Sequence, residues 1–185
     1  DARGPHGGQV RGAGVLAAGP VRSLGSRADP FGLCLDGVGQ RGERMQAEGV
    51  PVLGRGRQPG FDVAVAGRLA AEVARRGIEV VHAHQYTPFF YSALAKFRTR
   101  HRFHLMFTEH GRHYPDVVSS KRRFVNRFLL AHLADEIKGV CGFSVRSLAE
   151  KEGFGGMPME VIENGIDVER YRSDAEQRAV RQEPG

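Results

Sequence analysis

Short apolar runs alternate with longer, helix-like segments along most of this sequence. The apolar runs are typical of buried strands, and the segments between them carry apolar residues at helical spacing. The predicted strands cover residues 31–35, 50–53, 78–83, 103–107, 137–141 and 159–162. Buried strands separated by helices form parallel sheets with helices packed on their faces. The pattern therefore predicts an α/β fold with a doubly wound parallel sheet.

The helix-like segments have recognisable ends. They cover residues 40–48, 61–76, 89–97, 121–133 and 145–152. In the second of them Val65, Leu69 and Val73 recur at a spacing of four, and Gly77 is placed to cap the carboxyl end. Pro88 stands where the third can begin, because a proline is tolerated in the first turn of a helix.

Length and patterning together suggest one domain. The 185 residues can build one real core but not two full doubly wound domains. Residues 1–30 are poorly patterned and rich in glycine, arginine and proline, residues 31–171 carry the strand and helix pattern, and residues 172–185 form a polar tail or the start of a linker.

Charge and cysteine content bear on partners and location. The net charge of +6 favours anionic partners such as a nucleotide sugar or a phospholipid surface. Nucleic acid is not expected, because no aromatic platform is interleaved with the basic residues. Cys34 and Cys141 lie in apolar, strand-like settings and are expected to be buried, reduced thiols of a cytoplasmic protein. No signal peptide and no membrane-spanning run are evident.

Two predicted strands end in chemically dense stretches. Val80-Val-His-Ala-His84 is followed by Gln85, and a second strand runs into Glu109-His110-Gly111. Side chains alternate along a strand, so His82 and His84 point to one face, and ligands of such sheets bind beyond the carboxyl ends of the strands. If the two strands are neighbours, His84 and His110 share one edge of a crevice, where imidazoles can bind hydroxyl or phosphate groups. His82 is expected to be a core histidine bonded to backbone.

A metal-dependent hydrolase is an alternative interpretation of the same residues. Histidine and carboxylate side chains are ligands that zinc and similar ions accept. The candidate ligands are His82, His84, Glu109, His110, His113 and Asp116. A His-x-His pair alone is a weak signal and no later cluster has a fixed spacing, so no metal site is predicted.

The basic stretch Lys121-Arg122-Arg123, with Arg127, lies on the predicted helix 121–133, whose apolar side carries Phe124, Phe128, Leu129 and Leu133. One interpretation is a solvated helix face. The other is contact with anionic lipid, because Phe124 and Phe128 lie close to the basic residues.

Three motifs, taken in order, resemble a known family. VVHAHQYTPFFYSALA, FTEHGRHYPD and EVIENGIDVERY are similar to motifs of the N-terminal domain of glycosyltransferase family 4. The resemblance extends over residues 31–171 and is strongest after Ile78. It implies one domain of the GT-B architecture, in which two Rossmann-like domains face a cleft and the N-terminal domain shapes the acceptor site.

The resemblance also implies an activity and site residues. The activity is the retaining transfer of a sugar from a nucleotide-sugar donor to a sugar, lipid or small-molecule acceptor, without a metal or other cofactor. His110 matches the family histidine near the transferred sugar, so it is the expected catalytic residue. Gly7 and Gly8 resemble the glycine pair that approaches the donor phosphates. The expected substrate-binding residues are Gly7, Gly8, His84, Gln85, Glu109, Arg112 and Asn164.

The sequence departs from the family pattern at both ends. Only Asp1 to His6 precede the glycine pair, so the first strand is expected to be missing. Because a donor domain is also missing, the isolated chain is expected to be inactive. A non-catalytic, Rossmann-like partner module is a further alternative. The expected location is cytoplasmic, with peripheral contact at the inner face of the membrane as an option.

Overall fold

A computed structural model describes residues 28–111 and 119–165 of the chain. Its strands form two ladders in which every pairing is parallel. The first ladder joins β1 (Gly32–Cys34) to β2 (Val52–Gly54). The second has the order β3 (Val80–His84), β4 (His104–Glu109), β5 (Glu136–Gly139) and β6 (Met159–Val161). The predicted α/β class with a parallel sheet is confirmed.

Helices connect the strands as the sequence pattern indicates, with ends shifted by a few residues. They are α1 (Gln40–Ala47), α2 (Val63–Arg76), α3 (Tyr86–Arg98), α4 (Ser120–Val125) and α5 (Gly142–Glu150). The α3 helix begins before Pro88, which lies in its first turn, where no backbone N–H is needed for helical hydrogen bonding. None of the helices in the described part of the chain is both long and apolar enough to cross a membrane.

The α2 helix shows how local sequence fixes an element. Asp62 precedes it, and the Asp62 carboxylate accepts a hydrogen bond from the Ala64 N–H at 3.0 Å. Gly77 ends it in the left-handed conformation, with φ 62° and ψ 36°, as the sequence predicts. Arg55 and Glu72 form an ion pair at 2.7 Å that ties the end of β2 to this helix.

The main core lies between α3 and one face of the β3–β6 ladder. Phe89 of α3 stacks on Phe107 of β4 with ring centroids 4.4 Å apart, and Phe154 packs edge-on against Phe89. These three rings are fully buried. Burial alternates along β3, where Ala83 is buried and His82 is exposed, so the described residues leave the second face of this strand partly open.

The predicted helix 121–133 forms, but as a composite. The α4 helix continues into a π-helix at Asn126–Leu130 and a 3-10 turn at Ala131–Leu133, and we call residues 120–133 the composite helix. The extra residue of a π turn rotates the faces of the segment. Asn126 and Leu130 therefore point into the core.

The apolar face assigned from sequence is consequently wrong in most of its members. Phe124, Phe128 and Leu129 are exposed to solvent, and Leu133 is half-buried against the core. The aromatic pair stays together, since the Phe124 and Phe128 rings lie 4.6 Å apart.

The expected burial of both cysteines is also wrong. Both are free thiols, but Cys34 is half-buried and Cys141 is exposed. The reason is that β5 ends at Gly139, earlier than expected, so Cys141 lies in the turn that leads into α5.

Candidate functional site

The carboxyl ends of β3 and β4 bring two of the predicted site residues into contact. The two strands are parallel neighbours, with His84 opposite Thr108 in the register. The Nδ1 atom of His84 lies 2.7 Å from the Nε2 atom of His110, which is hydrogen-bonding distance. The predicted adjacency of these side chains is confirmed, and we call His82, His84 and His110 the histidine edge.

His82 completes the histidine edge but not as a core residue. Its ring lies 4.0 Å from the His84 ring, as expected for alternate residues of one strand. Its Nε2 atom lies 2.8 Å from the Thr108 hydroxyl. The expectation of a buried histidine bonded to backbone is wrong, because this face of β3 is partly open and a side-chain hydroxyl on β4 provides the partner.

The histidine edge is neutral at physiological pH. Burial, followed by the neighbouring His82 and His110, lowers the pKa of His84 to about 3. Burial likewise lowers the pKa of His110. Two neutral imidazoles can share a hydrogen bond only if one donates and the other accepts, so the tautomers of His84 and His110 are coupled. Within the described part of the chain, the buried Nδ1 atom of His110 has no hydrogen-bond partner.

Gln85 occupies the sharp turn between β3 and α3. Its backbone has φ 79° and ψ 160°, a region that residues other than glycine rarely adopt. The Gln85 N–H donates to the Thr108 carbonyl at 2.9 Å, and its carbonyl accepts from the Phe89 N–H at 3.2 Å. Strain of this kind persists where surrounding structure over-determines it, often beside a binding site.

Glu109 is buried rather than open to the crevice. Its side chain is 2% exposed, and its Oε1 atom accepts a hydrogen bond from the Gly111 N–H at 3.3 Å. Gly111 has φ 128°, a conformation that glycine adopts without strain. Glu109 therefore supports the turn that carries His110. Its predicted contact with substrate stays a prediction.

Asn164 is the one remaining predicted site residue that lies within the described part of the chain. Asn164 is exposed and follows β6, two strands away from β4. Adjacent strands are about 4.8 Å apart, which places it roughly 10 Å along the sheet from His110. Gly7, Gly8 and Arg112 lie outside the described residues.

The arrangement of the candidate ligands does not favour the alternative of a metal centre. Residues 28–111 and 119–165 contain no group of three or more histidine, cysteine or acidic side chains that could hold an ion. The facing ring nitrogens of His84 and His110 are bonded to each other instead of converging on a common point. Two of the candidate ligands, His113 and Asp116, lie outside the described residues.

A buried polar network beside the histidine edge was missed by the sequence analysis. The Tyr86 hydroxyl donates to Asn126 Oδ1 at 2.6 Å, and Asn126 Nδ2 donates to Glu152 Oε2 at 2.9 Å. The Arg122 guanidinium bonds Glu152 Oε1 and lies 3.6 Å from the centre of the Tyr86 ring. Glu152 is fully buried. The sequence analysis singled out Arg122 as part of a basic stretch but gave no indication that it pairs with Glu152.

A cavity of about 430 Å³ lies next to this network, between the start of α3, the loop before α2 and the start of α4. We call it the aromatic pocket. Its aromatic walls are Phe61, Tyr86, Phe90 and Tyr91. Three cationic side chains also line it: Arg57, Lys121 and Arg122.

The parallel ladders and the connecting helices define a Rossmann-like α/β domain, a fold in which ligands usually bind beyond the carboxyl edge of the sheet. The family model of Glycosyltransferase Family 4 matches residues 10–170. The chain therefore belongs to glycosyltransferase family 4, and its fold is that of one domain of the GT-B architecture.

Two solved structures are similar to the chain. A glycosyltransferase from Rickettsia africae ESF-5 has a TM-score of 0.69 at 14% identity, covering 91% of this chain and 44% of its own. Alr3699/HepE of Anabaena, solved in complex with UDP, has a TM-score of 0.73 at 19% identity, covering 95% of this chain and 47% of its own. The chain thus spans less than half of either neighbour. No curated protein matches it significantly.

Proposed function

We propose that this chain forms the acceptor side of a retaining glycosyltransferase that moves a sugar from a nucleotide sugar to an acceptor. The observation that carries the proposal is the bonded pair His84–His110 at the open carboxyl edge of a family 4 domain. A neighbour solved with UDP supports a nucleotide-sugar donor. Because the chain spans less than half of its neighbours, we assign the nucleotide-binding half of the site to a second domain.

In this proposal His110 contacts the sugar being transferred. Its pKa is lowered, so the imidazole meets a sugar hydroxyl as a neutral hydrogen-bond partner and not as a cation. The negative charge that develops on the departing diphosphate then needs other donors, such as oriented backbone N–H groups and cationic side chains. Gly7, Gly8 and Arg112 are the proposed contributors from this chain. Neither a metal nor a cofactor takes part in the scheme.

His84 is a positioning residue in the same scheme. By bonding Nε2 of His110, it fixes the ring and the tautomer of the catalytic side chain. In the chain joined to a nucleotide-binding half of the same family, exchange of His84 for asparagine should lower the turnover number more than it changes the Michaelis constant for the donor. Equal losses in His84→Asn and in the exposed-histidine control His132→Asn would argue against this role.

The proposed location is the cytoplasm, with peripheral contact at an anionic membrane. The composite helix exposes Phe124 and Phe128 next to Lys121, Arg123 and Arg127. Aromatic side chains beside cations are suited to the boundary between lipid headgroups and acyl chains. Sedimentation with vesicles of phosphatidylglycerol and phosphatidylcholine tests the contact. Unchanged sedimentation when Lys121, Arg123 and Arg127 are replaced by glutamine would refute it.

The transferase proposal is tested by release of nucleoside diphosphate from a panel of UDP- and GDP-sugars. The 185-residue chain alone should release none, whereas the chain joined to a nucleotide-binding half from the same family should turn over one of the donors. His110→Ala in the joined protein should reduce turnover by about a hundredfold or more, the usual range for a positioned catalytic group. Turnover by the chain alone would contradict the division into two halves, and an inactive joined protein would count against the transferase.

A further inference from the structure

The two histidines of β3 reach across to β4 in the same diagonal way. His82 stands opposite Met106 in the register, but its Nε2 atom lies 2.8 Å from the hydroxyl of Thr108, two positions further along β4. His84 stands opposite Thr108, and its Nδ1 atom lies 2.7 Å from Nε2 of His110, again two positions further along. Both rings therefore lean along the strands toward the carboxyl edge of the sheet.

The His82 ring supports the His84 ring in this direction. Their centroids are 4.0 Å apart and their planes differ by 37°, so the two rings are in contact. His82 lies on the amino side of His84, and its ring occupies the space into which His84 would turn if it left His110. Rotation of His84 away from the bonded pair therefore requires His82 to move as well.

Thr108 is placed to hold the His82 ring. Its side chain is buried, and it stands opposite Lys138 of β5, whose ammonium pairs with Glu136 and Glu160. The hydroxyl of Thr108 bonds His82 instead. Because a threonine side chain is stiff at χ1, this bond fixes the direction of the His82 ring, which a bond to mobile water does not do.

We propose that Thr108 is a positioning residue, and that it acts on His110 through the two histidines of β3. Its hydroxyl fixes the His82 ring, and this ring restricts His84. His84 in turn holds the ring of His110 by the bond at Nε2. The inference rests on the proposed transferase function, in which His110 contacts the sugar being transferred. Thr108 is buried, so its role needs no contact with either substrate.

Nitrogen-15 NMR of the histidine rings in the 185-residue chain tests this role without donor or acceptor. If His84 and His110 are held together, one of the two facing nitrogens carries a proton and the other does not, so their shifts are well separated. Thr108→Val removes the hydroxyl but keeps the branched side chain and the backbone carbonyl that accepts from the Gln85 N–H. The two shifts should then approach each other, because both tautomers become populated. Thr108→Ser should restore the separation.

Thr99→Val is the matched control. The Thr99 hydroxyl is also bonded, since it accepts from the His101 N–H at 3.1 Å, but it lies before the start of β4. This variant should leave the shifts unchanged. His82→Phe keeps a flat ring beside His84 but cannot bond Thr108, so it should reduce the separation as well. Adding Thr108→Val to it should change nothing further, because both substitutions remove the same bond.

Turnover gives an independent measurement in the chain joined to a nucleotide-binding half of the same family. Thr108→Val should lower the turnover number about fivefold, the usual contribution of one side-chain hydrogen bond, with little change in the Michaelis constant for the donor. Thr108→Ser should recover most of the loss.

Two results would overturn the positioning role and leave the transferase intact. The first is a Thr108→Val protein whose shifts are unchanged, or changed no more than those of Thr99→Val. The second is a Thr108→Val protein with altered shifts and an unchanged turnover number. A joined protein without any activity counts against the transferase, whereas the shifts report on the histidine rings whether or not the protein turns over.

Discussion

The two sides of the candidate site are held in place by different forces. The histidine edge rests on the backbone ladder between β3 and β4 and on hydrogen bonds between neutral side chains. The composite helix, which lines the aromatic pocket, is anchored by the fully buried carboxylate of Glu152 and its bonds to Arg122 and Asn126. The first arrangement loses stability when a proton is added, and the second when a charge is removed.

Because of this difference, the histidine edge should hold a more precise geometry, whereas the composite helix should adapt more readily. Strand ends in a parallel ladder are fixed by many backbone bonds, so the histidine edge holds its geometry to within small displacements. The composite helix depends on one network of side chains, and a π turn within it marks a place where the hydrogen-bond pattern already departs from the regular helix. In the proposed transferase, the first side is therefore suited to catalytic contacts and the second to recognition of the acceptor.

The largest loss of stability is expected from Glu152→Gln, because Glu152 holds the composite helix through its bonds to Arg122 and Asn126. The amide cannot balance the Arg122 guanidinium, so a partly buried charge is left without its counter-ion. Loss of one member of a buried pair costs about 3 kcal/mol of unfolding free energy. Urea denaturation followed by circular dichroism measures the change.

Glu150→Gln is the matched control for that substitution. Glu150 lies two residues earlier at the end of α5 and is exposed, so its removal should change the unfolding free energy by less than about 0.5 kcal/mol. Similar losses in both variants would mean that the ionic network does not anchor the composite helix.

The next largest effect on stability is expected at Gln85, beside the histidine edge. Here glycine should stabilise the fold more than alanine, the reverse of the usual order. Gln85 has φ 79° and ψ 160°, so Gln85→Gly should relieve strain, while Gln85→Ala keeps it. Strain in this region costs roughly 1–3 kcal/mol, which exceeds the roughly 1 kcal/mol entropic penalty of glycine. The glycine variant should therefore melt at a higher temperature than the alanine variant. A more stable alanine variant would show that the backbone at this turn is relaxed.

A smaller effect should appear as a dependence of stability on pH. The unfolded chain protonates His84 near its ordinary pKa of about 6.5, whereas the folded protein holds that pKa at about 3. Between these values the unfolded state binds more protons, so stability falls as the pH is lowered. From pH 7.5 to 5.5 the loss should be roughly 1 kcal/mol, somewhat below the full linkage value because the site is partly open to water.

His84→Asn isolates the contribution of this side chain. Asparagine keeps a hydrogen-bonding group but does not titrate, so the variant should lose less stability over the same pH range. Guanidinium titrations at pH 7.5, 6.5 and 5.5 measure both slopes. Identical slopes for the two proteins would assign the acid sensitivity to other groups.

The same contrast explains what the sequence could predict. The α/β class follows from the alternation of strands and helices, and the meeting of His84 with His110 follows once β3 and β4 are neighbours, because the carboxyl ends of parallel strands lie at one edge of the sheet. The Glu152 network joins residues 26 to 40 positions apart and leaves no periodic signal. The π turn could not be predicted either. An asparagine is expected at the surface, and the partners that allow Asn126 to be buried are distant in sequence.

The smallest expected effect is in Phe128→Ser, and it tests whether the exposed side of the composite helix serves stability at all. Phe128 is 59% exposed and contacts Phe124 and Arg127, which are exposed as well. Its replacement should change the unfolding free energy by less than about 0.5 kcal/mol.

Leu130→Ala, two residues later but fully buried, should cost about 3 kcal/mol. If both variants lose comparable stability, the phenylalanine pair belongs to the core, and the sequence-based face was correct. If Phe128→Ser keeps its stability but no longer sediments with phosphatidylglycerol vesicles, the Phe124–Phe128 pair contributes to membrane binding and not to folding.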